Sequence, residues 1–264
     1  MFRVPRLCIG AIAAMVLAAS APSHAATVNL DLQHFDRSQL VSAQTAMAGY
    51  MAGVTNAHVE TFEGYKPWPR QGGTQNLRHT AVGRFTPTGK AGSGDAVVGQ
   101  GSKLQVRNDG SMPWGRYNTA NTPALPPGVA DGNWLDSNDN KGMKWTIKGV
   151  GSFNTLAFYV LDAADVGGKF SIKVGDKLYK YVAGENGRLA NGNIHLVQIN
   201  LDEAVDRLTI RLRHNIINDG FGIDGAVVGT LSPVPLPAGI LLLAPGLALL
   251  GVPRLLARRR DTAA

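Results

Sequence analysis

Short apolar-polar runs of period two dominate this chain from residue 59 onward. VETFEGY, TAVGRF, KLQVR, MKWTIKG, FNTLAFYVLD, GKFSIKV, KLYKYV, IHLVQINL, DRLTIRLRH and FGIDGAVVG follow one another, separated by clusters of Gly, Asn, Asp and Pro. Side chains alternate between faces along a strand, so a run of this kind buries one face and wets the other. Parallel strands need crossover helices, and almost no long helical pattern lies between these runs. The expectation is an all-β chain, an antiparallel β-sandwich of the jelly-roll kind.

Individual runs predict their surroundings. In KFSIKV, Phe170, Ile172 and Val174 oppose Lys169, Ser171 and Lys173; in DRLTIRLRH, Leu208, Ile210 and Leu212 oppose Arg207, Thr209, Arg211 and Arg213. Each should have one wet face. TLAFYVL is apolar on both sides after Thr155, which predicts a central strand covered twice. Val174-Gly175-Asp176-Lys177 reads as a hairpin, and Asn186-Gly187 as another between KLYKYV and IHLVQINL. Ahead of the strands, Leu40, Ala43, Met47 and Tyr50 or Met51 recur at helical spacing after Ser38. They predict a short helix packed over one opening of the sheet.

The net charge of +7 hints at nucleic acid until it is located. Six of the 26 basic side chains (Arg3, Arg6, Arg254 and Arg258 to Arg260) and one of the 19 acidic ones (Asp261) lie in the two tails. That leaves 20 basic and 18 acidic side chains over residues 26–232, so a nucleic-acid partner is not expected. The N-terminal tail has a basic leader, an uncharged run from Leu7 to Ala19, and Ser23-His24-Ala25 as a small-x-small cleavage site. It reads as a secretory signal peptide. Cys8, the one cysteine, lies inside it, so the exported chain is expected to hold no disulfide. At the other end Val234 opens 20 uncharged residues, VPLPAGILLLAPGLALLGVP, followed by arginines. Twenty residues at 1.5 Å each match a hydrocarbon layer of about 30 Å, which predicts a C-terminal transmembrane helix with a cytoplasmic basic end.

This tail resembles the VPLPA variant of the PEP-CTERM sorting signals of bacterial surface proteins. Val234, Pro235, Leu236, Pro237 and Ala238 match the recognition motif, the Leu-rich stretch the membrane segment, and Arg258 to Arg260 the basic end. The resemblance implies export in a Gram-negative bacterium and a precursor held in the inner membrane. An exosortase-type membrane protease would then remove the tail and release the domain to the cell surface or outside. It also implies association with exopolysaccharide or biofilm matrix. WGRYNT, WLDSND, LDAADVGGKF and DGFGIDGAVVG resemble segments of exported β-sandwich cargo carrying such tails, a likeness that transfers no catalytic residue. The expected organisation is a signal peptide over 1–25, an N-terminal segment with the short helix over 26–58, the β-sandwich over 59–232 and the sorting signal over 233–264.

Residues 108–141 form a long irregular stretch, and stretches of that length inside a compact domain are often functional. Trp114, Tyr117 and Trp134 stand there among polar neighbours. They either plug an open end of the sandwich or form a stacking platform for polysaccharide. Asp131, Asp136, Asn138 and Asp139 offer hard oxygen donors at short spacing, which suits either a calcium ion or simple Asx turns. Asp219 and Asp224 form a second oxygen-rich turn. Catalysis is not expected: HExxH and Gly-x-Ser-x-Gly are absent, and no two histidines of the exported part lie three to five residues apart. Asp162 and Asp165 could serve glycoside hydrolysis only at a separation that sequence does not set. The sequence therefore predicts a surface or matrix structural protein associated with polysaccharide, with a calcium-dependent carbohydrate-binding module and a glycan-active enzyme as alternatives.

Overall fold

A computed structural model describes residues 26–67, 77, 79–90, 104–108, 116, 132–183 and 187–231. Among the described residues, ten antiparallel strands, one α-helix and a short 3-10 helix over Arg37–Gln39 make up the fold. The strands are β1 (Val28–Phe35), β2 (Val54–Glu60), β3 (Arg84–Thr88), β4 (Gln105–Asn108), β5 (Asn133–Asp136), β6 (Gly142–Leu161), β7 (Phe170–Val174), β8 (Lys177–Ala183), β9 (Ile194–His214) and β10 (Gly222–Leu231). The helix α1 spans Leu40–Met51. The all-β, antiparallel expectation holds. The signal peptide and the sorting signal, with Val234 to Ala238 and the expected span, lie outside the described residues. Among those described, no helix is long and apolar enough to cross a membrane.

Two long strands organise the sheet, whose main order is β4-β5-β10-β6-β9-β7-β8, with β1 on β9, β2 on β10 and β3 on β6. MKWTIKG and FNTLAFYVLD, two runs in sequence, are one 20-residue strand, β6; IHLVQINL and DRLTIRLRH are likewise one 21-residue strand, β9. Their mutual register shifts between Lys148 and Phe153 and again before Thr155. Gly149 (φ 76°) and Gly151 (φ 79°) sit in that interruption, in the left-handed region that L side chains resist. The strand bends there sharply enough to meet itself. Trp145 and Phe158, thirteen residues apart on β6, pack edge to face with ring centroids 5.5 Å apart.

The bend divides the β6–β9 ladder into two parts. Residues 142–148 of β6 pair with 207–213 of β9 and with β3, and that part of β9 also pairs with β7. Residues 155–161 of β6 pair with 194–200 of β9 and with β10. The larger core draws side chains from both parts, and in it Trp145 stacks on Phe85 and donates its indole N–H to the Val82 carbonyl at 2.9 Å. The second half is covered twice, as TLAFYVL predicts: Leu156, Phe158 and Val160 enter the larger core, while Ala157, Tyr159 and Leu161 face α1.

The helix lies on a sheet face rather than over an opening. Ala43 and Met47 are buried there with Trp134, Tyr159, Ile194 and Leu196. Tyr50 secures its far end by donating to Asn200 Oδ1 at 2.7 Å. Residues 26–58, expected as a segment outside the sandwich, bring β1 and most of β2 into the sheet. The Gly175-Asp176 hairpin forms as expected, with Val174 opposite Lys177 and Gly175 at φ 56°. A hairpin across 186–187 does not join β8 to β9, because β7 stands between them; Asn186 itself lies outside the described residues.

Candidate functional site

One sheet face gathers cations that are far apart in sequence. The core-facing positions of β6, β7 and β9 are Met143, Trp145 and Ile147, then Phe170, Ile172 and Val174, then Ile210 and Leu212. Alternation turns their neighbours outward. Arg211 of β9 stands directly opposite Lys144 of β6 on one side and Lys173 of β7 on the other. These three form one row across the sheet at the ladder spacing of about 4.8 Å. Arg213 extends the patch two residues along β9, and Lys148 and Arg207 pair at its other end.

Beside this row, Lys141, Lys169, Lys173, Arg211 and Arg213 line a cleft of about 340 Å³, with exposed Leu178 at its edge and His214 at its buried base. Like charges on neighbouring strands repel, so the arrangement costs stability in the isolated chain. Lys173 reaches Asp176 at 3.8 Å across the exposed hairpin, a contact worth little in water. Among the described residues, Lys144, Arg211 and Arg213 have no carboxylate partner. The near-neutral total over residues 26–232 hides this segregation.

The expected calcium ligands occupy a different place. Asp136 ends β5 and is buried. Its Oδ2 accepts from Arg107 Nε at 2.5 Å and its Oδ1 from the Arg116 guanidinium at 2.7 Å. Oδ1 also accepts the Asn138 N–H at 3.0 Å, closing an Asx turn in which Asn138 and Asp139 take positive φ. Arg116 lies 3.9 Å from Asp139 and 3.8 Å from Asp162. Calcium at Asp136 would have to displace a buried guanidinium. Among the described residues no group of three or more His, Cys, Asp or Glu is arranged to hold a metal. Asp131 lies outside the described residues.

The stacking residues also separate. Trp134 is fully buried under α1, so it offers no ring to a polymer, and its role as a platform is corrected to that of a core residue. The physical reason is its place on β5, where all four residues are buried. Trp114 and Tyr117 lie outside the described residues. Asp219 and Asp224 serve separate partners. Asp219 accepts from the Gly168 N–H at 3.0 Å beside His214, while Asp224 stands in register with Tyr159.

Asp162 sits below the same turn network. Burial pushes its carboxyl up to about 8, opposed by the Gly192 N–H that it accepts at 2.7 Å and, more weakly, by Arg116. The folded chain therefore holds this proton over a range in which the unfolded chain has released it. Its contribution to stability is full below the unfolded value near 3.8 and is lost as pH rises through about 8. Asp162→Asn, which keeps an oxygen for Gly192 and suits the φ of 57°, is expected to gain Tm relative to the native chain from pH 5 to pH 8. Paired melting curves across that range measure it, and a constant difference would contradict it.

No family model matches the chain, and no curated protein or solved structure matches it.

Proposed function

We propose that this chain is an exported surface or matrix protein whose β-sandwich binds acidic polysaccharide through its cationic sheet face. The observation that carries the reading is the row Lys144, Arg211 and Lys173, with Arg213 beside it, set across three strands, where Lys144, Arg211 and Arg213 have no carboxylate partner among the described residues. Nearest-neighbour repulsion of this kind is relieved by a polyanion whose charges repeat along its length. The secretory leader and the VPLPA tail support an extracellular setting, in which such polymers are abundant. The bend of β6 and the contact of Trp145 with Phe158 support the sandwich.

Binding follows from electrostatic complementarity rather than ring stacking. A soluble polyuronate should therefore bind, a neutral glucan of the same length should not, and affinity should fall with added salt as the face is screened. Calorimetric titration with both polymers tests this, with duplex DNA as a control for any polyanion and a chelator arm for the calcium-dependent alternative. Equal binding of both glycans would contradict the reading, as would stronger binding of DNA than of polyuronate.

A further inference from the structure

We propose that His34 and His195 form a site for a borderline divalent transition ion, such as zinc, where the β1–β9 ladder opens. The site is separate from the cationic face and goes beyond the polysaccharide reading.

The ladder itself isolates the pair. Its core-facing rungs are Val28 with Leu201, Leu30 with Ile199 and Leu32 with Val197, and the next rung in the same register is His34 with His195. Two imidazoles thus stand where the pattern calls for two aliphatic side chains, with ring centroids 4.8 Å apart. His195 is 1% exposed, and among the described residues neither of its ring nitrogens has a hydrogen-bond partner. A neutral imidazole carries one donor and one acceptor, and burying both unmet costs free energy that a merely structural residue would avoid.

His34 supplies access. Its side chain is 44% exposed, and among the described residues β1 pairs with β9 alone. Asp36, two residues along, brings Oδ1 to 3.7 Å from His34 Nε2, close enough to orient that ring. Nitrogen donors select zinc, nickel or copper over calcium and magnesium, which prefer oxygen. Two imidazoles leave coordination positions for water or for a ligand group.

Untagged full-length protein titrated calorimetrically with zinc, and separately with calcium, tests the site without any polysaccharide. Zinc should bind with one-to-one stoichiometry and raise Tm, and calcium should do neither at these residues. His195→Val restores the aliphatic pattern of the ladder, so it should fold at least as well as the metal-free native chain while losing the zinc response. His34→Ala should weaken zinc by tenfold or more, and Asp36→Asn by about tenfold if it orients the ring. Copper-loaded native protein should show nitrogen hyperfine coupling from two imidazoles, reduced to one in either histidine variant. Absence of zinc binding in the native chain, or zinc binding unchanged in both histidine variants, would overturn the proposal.

Discussion

Asp136→Ala is expected to destabilise the fold by about 3–5 kcal/mol, the range for breaking a buried ion pair by removing one partner. The loss is large because the substitution leaves two charges behind rather than one. Arg107 and Arg116 are each 3% exposed, and both direct a guanidinium at this carboxylate. The Asx turn would lose its acceptor for the Asn138 N–H at the same time. Urea unfolding of native and variant chains measures the difference, and a loss below about 1 kcal/mol would show that the arginines find other partners. If calcium rather than arginine neutralised Asp136, chelator would lower the native Tm and leave the variant's unchanged. Equal chelator response in the two chains is the expected result.

Trp134→Ala is expected to cost about 3–5 kcal/mol, as for other buried aromatic truncations. Trp134 is completely enclosed, and its loss would open a cavity between β5 and α1 beside Met47 and Tyr159. The polysaccharide affinity of the fraction that remains folded should not change, because the ring is separated from the cationic face by the body of the sheet. A stable Trp134→Ala chain that no longer binds polysaccharide would contradict both the core placement and the location of the site.

Local alternation made parts of this fold legible. Apolarity on both sides of TLAFYVL meant two covered faces, and the structure supplies the larger core on one and α1 on the other. Gly175-Asp176 marked its hairpin because a two-residue turn needs a positive φ that glycine provides. What the sequence hid depends on long-range register. The gaps at Val150 to Ser152 and at Asp202 to Val205 look like strand ends, yet β6 and β9 run through them as bends. VNLDLQHF alternates as clearly as any later run, but its place against β9 follows only from pairing across the chain.

The sites divide in the same way. The outward cations of GKFSIKV and DRLTIRLRH could be read strand by strand, but their juxtaposition with Lys144 needed the sheet order. The oxygen density at Asp136, Asn138 and Asp139 correctly signalled a turn, while the arginines that bind Asp136 come from other segments and leave no local trace. His195 lies within the run IHLVQINL. Its opposition to His34 is again a matter of register.

The polyuronate affinity of native and Arg211→Glu/Arg213→Glu chains at low and high salt tests whether the cationic sheet face captures acidic polysaccharide. The double reversal should abolish measurable binding at low salt. Its Tm should stay level or rise, since the carboxylate introduced at position 211 would lie between Lys144 and Lys173 as an opposite charge. Native affinity should fall steeply as salt is added. Undiminished polyuronate binding by a folded double variant would contradict the claim.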